Sequence, residues 1–237
     1  MKDLYRQHLV TVILFMLFVL PSGEVNAEVE KDFGVWGAIQ GQGSFIFDAR
    51  DSGKWQWWME GQGRFFKAAS RLEQSLIRPG IGYQLSKKLS LWLGYAWIQN
   101  QPKGRNATDE HRVWHQASWK DSFGWGNAFS RTRLEHRFQS NGDDVGWRFR
   151  EFLKFTRPLS TRFYASLWDE VFVDLNSTDW GADAGFRQNR FFAGLGAFVD
   201  AERHYRVEIG YLNQYEDKAS STDKINHIVS CNLFIRY

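Results

Sequence analysis

Side chains able to do chemistry recur every second residue in the middle of this chain. Arg131, Arg133, Glu135 and Arg137 form one such row, Arg148 and Arg150 a second, and Glu170, Gln188 and Arg190 continue the pattern further on. An interval of two places side chains on one face of a strand. Guanidinium and carboxylate groups on facing strands can pair through two parallel hydrogen bonds. Guanidinium in excess of carboxylate draws anions, as charged rings do in pores. Two readings follow. Either arginine, glutamate and glutamine fill an interior with paired charge, or they line a narrow lumen that favours anionic solutes.

A hydrolytic reading rests on His111, His115 and Ser118, with Asn106 nearby. A nucleophile and its base must come within hydrogen-bond reach, with a third group orienting the base. His115 and Ser118 are three apart, so on a flat strand they point to opposite faces. His136 shares a face with Ser130 and Ser140 but is widely spaced from both. A lipid-acting outer-membrane hydrolase therefore stays an alternative, and catalysis is not the favoured reading. His111 and His115 are expected at a membrane interface or in the lumen. The pairs Asp143-Asp144 and Asp109-Glu110 are too sparse for an oxygen cage, so no metal or other cofactor is expected.

Strands must position these groups. An arginine or lysine facing lipid at mid-depth costs about 2–4 kcal/mol, so a membrane protein with this many charges must turn them inward. Trp125 and Phe129 share the phase of Arg131, which suggests a bulge between them. Period-two patterning marks Phe33 to Phe47, Trp55 to Phe66, Leu72 to Leu85, Leu89 to Gln99, His111 to Trp119 and Phe123 to Gln139. It continues through Val145 to Arg157, Arg162 to Leu175, Asp183 to Val199, His204 to Tyr215 and His227 to Tyr237. Lys67 to Arg71 has no clear period. Short connections such as Ser86-Lys87-Lys88 and Lys120-Asp121-Ser122 alternate with longer polar ones such as 100–109, 176–182 and 216–224. This is the loop pattern of an outer-membrane barrel. The count is eleven, but such barrels have even numbers. Ten to twelve strands are expected, twelve being favoured, with the mismatch placed before Leu85.

The two ends of the chain support export and membrane closure. Lys2 and Arg6 precede an apolar run from Leu9 to Leu20, then Pro21, Gly23 and a small-residue site ending at Ala27. That is the layout of a signal-peptide helix over residues 1–27. The run is too short for a transmembrane helix of about 20 residues. Residues 28–237 are then the barrel domain. The closing stretch sets Val229, Cys231, Leu233, Ile235 and Tyr237 against Ser230, Asn232 and Arg236, with Phe234 as the exception. Leu233, Ile235 and Tyr237 are the expected assembly signal.

Composition agrees. The chain has 20 Phe, 12 Trp and 8 Tyr among 237 residues, yet its mean hydropathy is negative, as alternation produces. Trp55, Trp57, Trp58, Trp92, Tyr95 and Trp97 are read as interface girdles in preference to sugar-stacking platforms. One cysteine excludes an internal disulfide, and a formal charge of +3 spread among acids is no nucleic-acid signature.

Arg78-Pro79-Gly80-Ile81-Gly82-Tyr83, Arg131 to Phe138, Trp168-Asp169-Glu170-Val171-Phe172 and Gln188-Asn189-Arg190 occur in an order that resembles domain-of-unknown-function family 2490, predicted outer-membrane proteins. The resemblance covers most of residues 28–237. It implies location and fold and brings no activity. The expected protein is an all-β, antiparallel up-and-down transmembrane barrel of the bacterial outer membrane. It is expected to be monomeric, with membrane lipid and the barrel assembly machinery as partners. A soluble periplasmic β-sandwich binding module is the other alternative.

Overall fold

Alternating stretches of this length need edge partners for every backbone N–H and C=O, and closure into a barrel supplies them all. The computed structural model shows one closed barrel of eleven strands. The structure describes residues 29–45, 53–102, 104, 106–218 and 222–237, so the expected signal segment lies outside the described residues. The strands are β1 (Glu30–Ser44), β2 (Trp55–Phe66), β3 (Arg71–Gln84), β4 (Leu89–Asn100), β5 (Thr108–Phe123) and β6 (Gly126–Gln139). Then follow β7 (Val145–Pro158), β8 (Phe163–Asp174), β9 (Gly185–Phe198), β10 (Tyr205–Glu216) and β11 (Lys224–Arg236). Consecutive strands pair antiparallel, while β1 closes on β11 in parallel, with Glu30 opposite Lys224 and Gln42 opposite Arg236.

The favoured twelve strands are thus corrected to eleven. Parity argued for an antiparallel seam, but the slanted hydrogen bonds of a parallel ladder also pair both edges, and they close this barrel. The mismatch before Leu85 is an exchange of loop lengths. Residues 45–54 form a longer connection on the rim of short turns, and the tight turn after β2 lies on the opposite rim. There Lys67, Ala68 and Ala69 adopt positive φ of 55°, 55° and 61°, and this left-handed run breaks the period-two pattern. The connection expected at Lys120–Ser122 is also corrected. β5 continues to Phe123, and the chain reverses at Gly124–Trp125, with Phe123 opposite Gly126.

No bulge separates Phe129 from Arg131. Both face inward, Arg131 opposite Phe152 and Phe129 opposite Lys154 in an unbroken register. The rings of Phe129 and Phe152 meet edge-on at 6.0 Å. Phe234 is explained in the same way, since its inward ring carries the Arg206 guanidinium at 4.5 Å.

Two apolar clusters fill the interior between the charges. One joins Trp58, Leu76, Trp92, Ala96, Ile98 and Trp114. The other joins Trp36, Phe192, Leu212 and Ile228, with Trp168 packed against it. Trp114 is fully buried, and its indole N–H donates to the Tyr95 carbonyl at 3.1 Å. It lies on a bed of two cross-strand partners, Gly80 and Gly94, where a Cβ would come within 2.5 and 2.1 Å of the ring. Gly94→Ala is expected to cost about 1–3 kcal/mol by overpacking. A lowered thermal midpoint of the folded barrel checks this, and an unchanged midpoint would mean that Trp114 can move aside.

Candidate functional site

The register puts like charges side by side. Arg112 lies opposite Arg137, and Arg133 opposite Arg150, arrangements that repel unless anions intervene. Carboxylates one step away supply the counter-charge. Glu110 accepts from Arg112 Nε at 2.8 Å and from Arg137 Nε at 2.5 Å. Glu135 accepts from Arg150 Nη1 at 2.6 Å and Arg112 Nη1 at 3.1 Å, with Arg133 Nη1 at 3.7 Å. Asp174 holds Arg148 at 2.6 Å, and Glu170 holds Arg131 at 2.6 Å and Arg150 at 2.7 Å. Arg148 and Glu170 are therefore not direct partners. Arg190 lies 4.0 Å from Glu170, with its Nε on Gln214 at 3.1 Å, and the amide oxygen of Gln188 also faces its guanidinium.

The structure thus gathers Arg131, Arg133, Glu135, Arg137, Arg148, Arg150, Glu170, Gln188 and Arg190 inside one barrel. Sequence reading missed Glu60 with Arg78 (3.0 Å), Glu110 with Arg112, and Asp174. It also missed a second centre towards the rim of short turns, where Lys154 Nζ and Tyr164 Oη donate to Glu208 at 2.6 and 2.9 Å. The signal was present in each case, because these residues hold inward positions in the same alternation.

A cavity of about 320 Å³ occupies the other half of the barrel, towards the longer loops. Its wall includes Asn100 and Gln139 at strand ends and Trp180 to Ala182 of the loop after β8. Trp180 is fixed there by a hydrogen bond from its indole to the Asp144 carbonyl at 2.8 Å, and the Arg137 guanidinium stacks over its ring at 4.8 Å. Asp179 joins the two loops by accepting the backbone N–H groups of Asp143 (2.8 Å) and Asp144 (3.2 Å). Those N–H groups, Asp143's foremost, hold the Asp179 carboxyl below its ordinary range. Eight arginines and three carboxylates line the cavity. Arg133, Trp114, Phe192, Ile98, Leu212 and Ile228 are almost wholly shielded from solvent inside the barrel.

The other candidate chemistry disperses. His115 points outward against His136, rings 5.3 Å apart, while Ser118 points inward and accepts from Gln116. Ser130 donates to Glu151, Asn106 is exposed, and His111 pairs with the outward Tyr95. No serine or threonine hydroxyl bonds a histidine ring among the described residues. Asp109 accepts from the Trp97 indole, and Glu110 belongs to the interior network. Asp200, Glu202 and His204 do come together on the turn after β9. Asp200, however, already accepts the backbone N–H groups of His204 and Tyr205.

Two expectations about faces are corrected. Trp58 and Trp92 lie inside, edge-on at 5.8 Å, and do not join the outer aromatics. The second concerns carboxylates, since Glu151 and Asp169 face outward near mid-strand. Ser130 and Thr132 hydroxyls satisfy Glu151, and the Asn189 amide satisfies Asp169.

Fold and site together define a closed β-barrel with a charged interior. The chain belongs to the family described as "Protein of unknown function (DUF2490)", which it matches over residues 33–226. It is similar to an uncharacterized protein of Methylorubrum extorquens, 41% identical over 182 residues, covering 75% of this chain and 79% of that protein. No solved structure matches it.

Proposed function

We propose that this chain is an integral outer-membrane β-barrel of a Gram-negative bacterium, exported by residues 1–27, with its lumen closed at mid-depth. One observation carries the reading: the barrel is inverted relative to a protein built for water. Arg133 and Glu135 are 0% exposed, whereas Ile39, Leu195 and Ile209 on the outer wall are more than half exposed. Apolar patches that encircle a protein mark contact with an apolar phase. A band of tyrosine, tryptophan and histidine (Tyr95 with His111, His136 with Trp147, Tyr211 with His227) supports it, as amphipathic rings suit headgroup level. The barrel assembly machinery and membrane lipid are its proposed partners, and the monomer its proposed state.

Membrane fractionation tests this. The protein should need detergent for extraction and should show a heat-modifiable band, and a chain that stays in the periplasmic supernatant without detergent would refute the reading. The arginine excess favours a second reading, a narrow anion-favouring pore. The packed mid-section predicts instead no steady single-channel conductance in planar bilayers, and anion-selective steps would decide for the pore.

Leu233, Ile235 and Tyr237 lie on the outer face of the closing seam. The Tyr237 backbone N–H donates to Gln42 of β1 at 3.1 Å, and its ring meets Tyr205 edge-on at 6.1 Å. Tyr237→Ala should therefore lower the amount of assembled, heat-modifiable barrel several-fold. Unchanged levels in the outer membrane would remove Tyr237 from the assembly signal.

A further inference from the structure

We propose that the cavity near the long-loop rim binds a small phosphate-bearing anion, held chiefly by Arg64, Arg190, Arg78 and Trp36. This goes beyond the membrane reading, because the barrel wall encloses the cavity whatever surrounds it.

The first argument is charge. Of the groups lining the cavity, eight are arginines and three are carboxylates. Glu110 and Asp174 are each shared between two arginines already: Glu110 between Arg112 and Arg137, Asp174 between Arg137 and Arg148. Among the described residues Arg64 bonds only the amides of Gln62 and Gln74, at 2.7 and 2.5 Å. Among the described residues Arg190 has no carboxylate nearer than Glu170, at 4.0 Å. Shielded cations without counter-charge are costly, and an anion between them removes that cost.

The second argument is convergence. Arg64 comes from β2 and Arg190 from β9, yet both guanidinium carbons lie over the Trp36 ring of β1, at 4.2 and 4.9 Å. Two like charges drawn to one ring make a focus for an anion.

The third concerns hydrogen bonding. The Trp36 indole nitrogen and Arg78 Nε are buried and have no acceptor among the described residues. Trp36 is 7% and Arg78 3% exposed, and both line the cavity. Both groups are donors, so what they lack is an oxygen acceptor and not a cation. The donors come from the neighbouring strands β1, β2 and β3 and from β9, three strands further round the barrel. A tetrahedral phosphate presents acceptors in several directions, whereas a carboxylate accepts in one plane. The volume is at the small end for ligand sites, which suits inorganic phosphate or a short phosphate monoester. The same group could arrive on a soluble ester or on a lipid.

The test is titration of the full chain, folded in detergent, with inorganic phosphate against chloride at matched ionic strength. Saturable heat at one site per chain, with broadening of the phosphorus resonance, is expected. Arg64→Gln and Arg190→Gln should each weaken binding at least about tenfold, the scale of a lost charged hydrogen bond. Arg206→Gln, in the other half of the barrel, should bind as the parent does. If the glutamine variants do not fold, Arg190→Lys keeps the charge, loses the fork and should still bind measurably more weakly. Phosphate heats no larger than chloride's, or full binding by folded Arg64 and Arg190 variants, would overturn the proposal. Competition by glycerol phosphate assigns the site to a soluble ester, and competition only by phosphatidic acid in mixed micelles assigns it to lipid. Competition by neither assigns the site to inorganic phosphate itself. A chain that proves soluble without detergent refutes the membrane reading alone, and the titration then runs in plain buffer.

Discussion

Glu135→Ala should be the most damaging single change in this protein. The carboxylate is 0% exposed and faces Arg112, Arg150 and Arg133. Its loss leaves three guanidinium groups close together without their shared anion. Breaking a buried pair costs about 3–5 kcal/mol, a large part of the roughly 5–15 kcal/mol that holds an ordinary domain together. The thermal midpoint of the folded barrel should fall steeply, or folded protein should fail to accumulate. Arg150→Ala alone should also destabilise, because it frees charge on Glu135 and Glu170. The double variant should cost less than the two singles added, since the groups touch. Additive costs would show that interior water solvates each group separately.

Ile209→Arg should separate a lipid-facing wall from a water-facing one. Ile209 stands outward on β10, opposite Leu195 and Cys231, and is 53% exposed. In a bilayer an arginine near mid-depth costs about 2–4 kcal/mol, falling to about 0–1 near the interfaces. Leu159→Arg, in a turn at the rim and 58% exposed, is the matched control. In water both changes would fall within about ±0.5 kcal/mol. Equal tolerance of the two by protein reconstituted in vesicles would contradict the membrane proposal.

Much of this barrel was legible because its wall has only two faces. The row Arg131, Arg133, Glu135, Arg137 announced its common side by spacing alone, and Val229 to Tyr237 did the same for the outer wall. Partnership was not legible. Which carboxylate meets which arginine depends on register between strands, and register placed Arg148 on Asp174, not on Glu170. The turns misled where chemistry was ambiguous. Lys120-Asp121-Ser122 is polar but extended, while the actual reversal uses Gly124 and Trp125. The aromatics misled for a related reason. Phe129, Phe234, Trp58 and Trp92 are apolar residues on the inner face, where Phe129 meets Phe152, Phe234 carries the Arg206 guanidinium, and Trp58 and Trp92 pack edge-on. The cavity itself joins Trp36, Arg64, Arg78 and Arg190 from four strands, a convergence that exists only once the sheet is closed.

The parallel seam gives the molecule a direction. A barrel with an even number of strands begins and ends on one rim, so a tight turn could join its termini. Here β1 starts beside Lys224 and β11 ends beside Gln42, on opposite rims. Joining the termini would take a linker as long as the wall is high. Reporters fused ahead of Glu30 and after Tyr237 would then stand on opposite sides of any membrane the barrel crosses. The rim bearing the start of β1 is also the one towards which the arginine cavity lies, so a single-sided protease assay would fix which compartment that cavity serves.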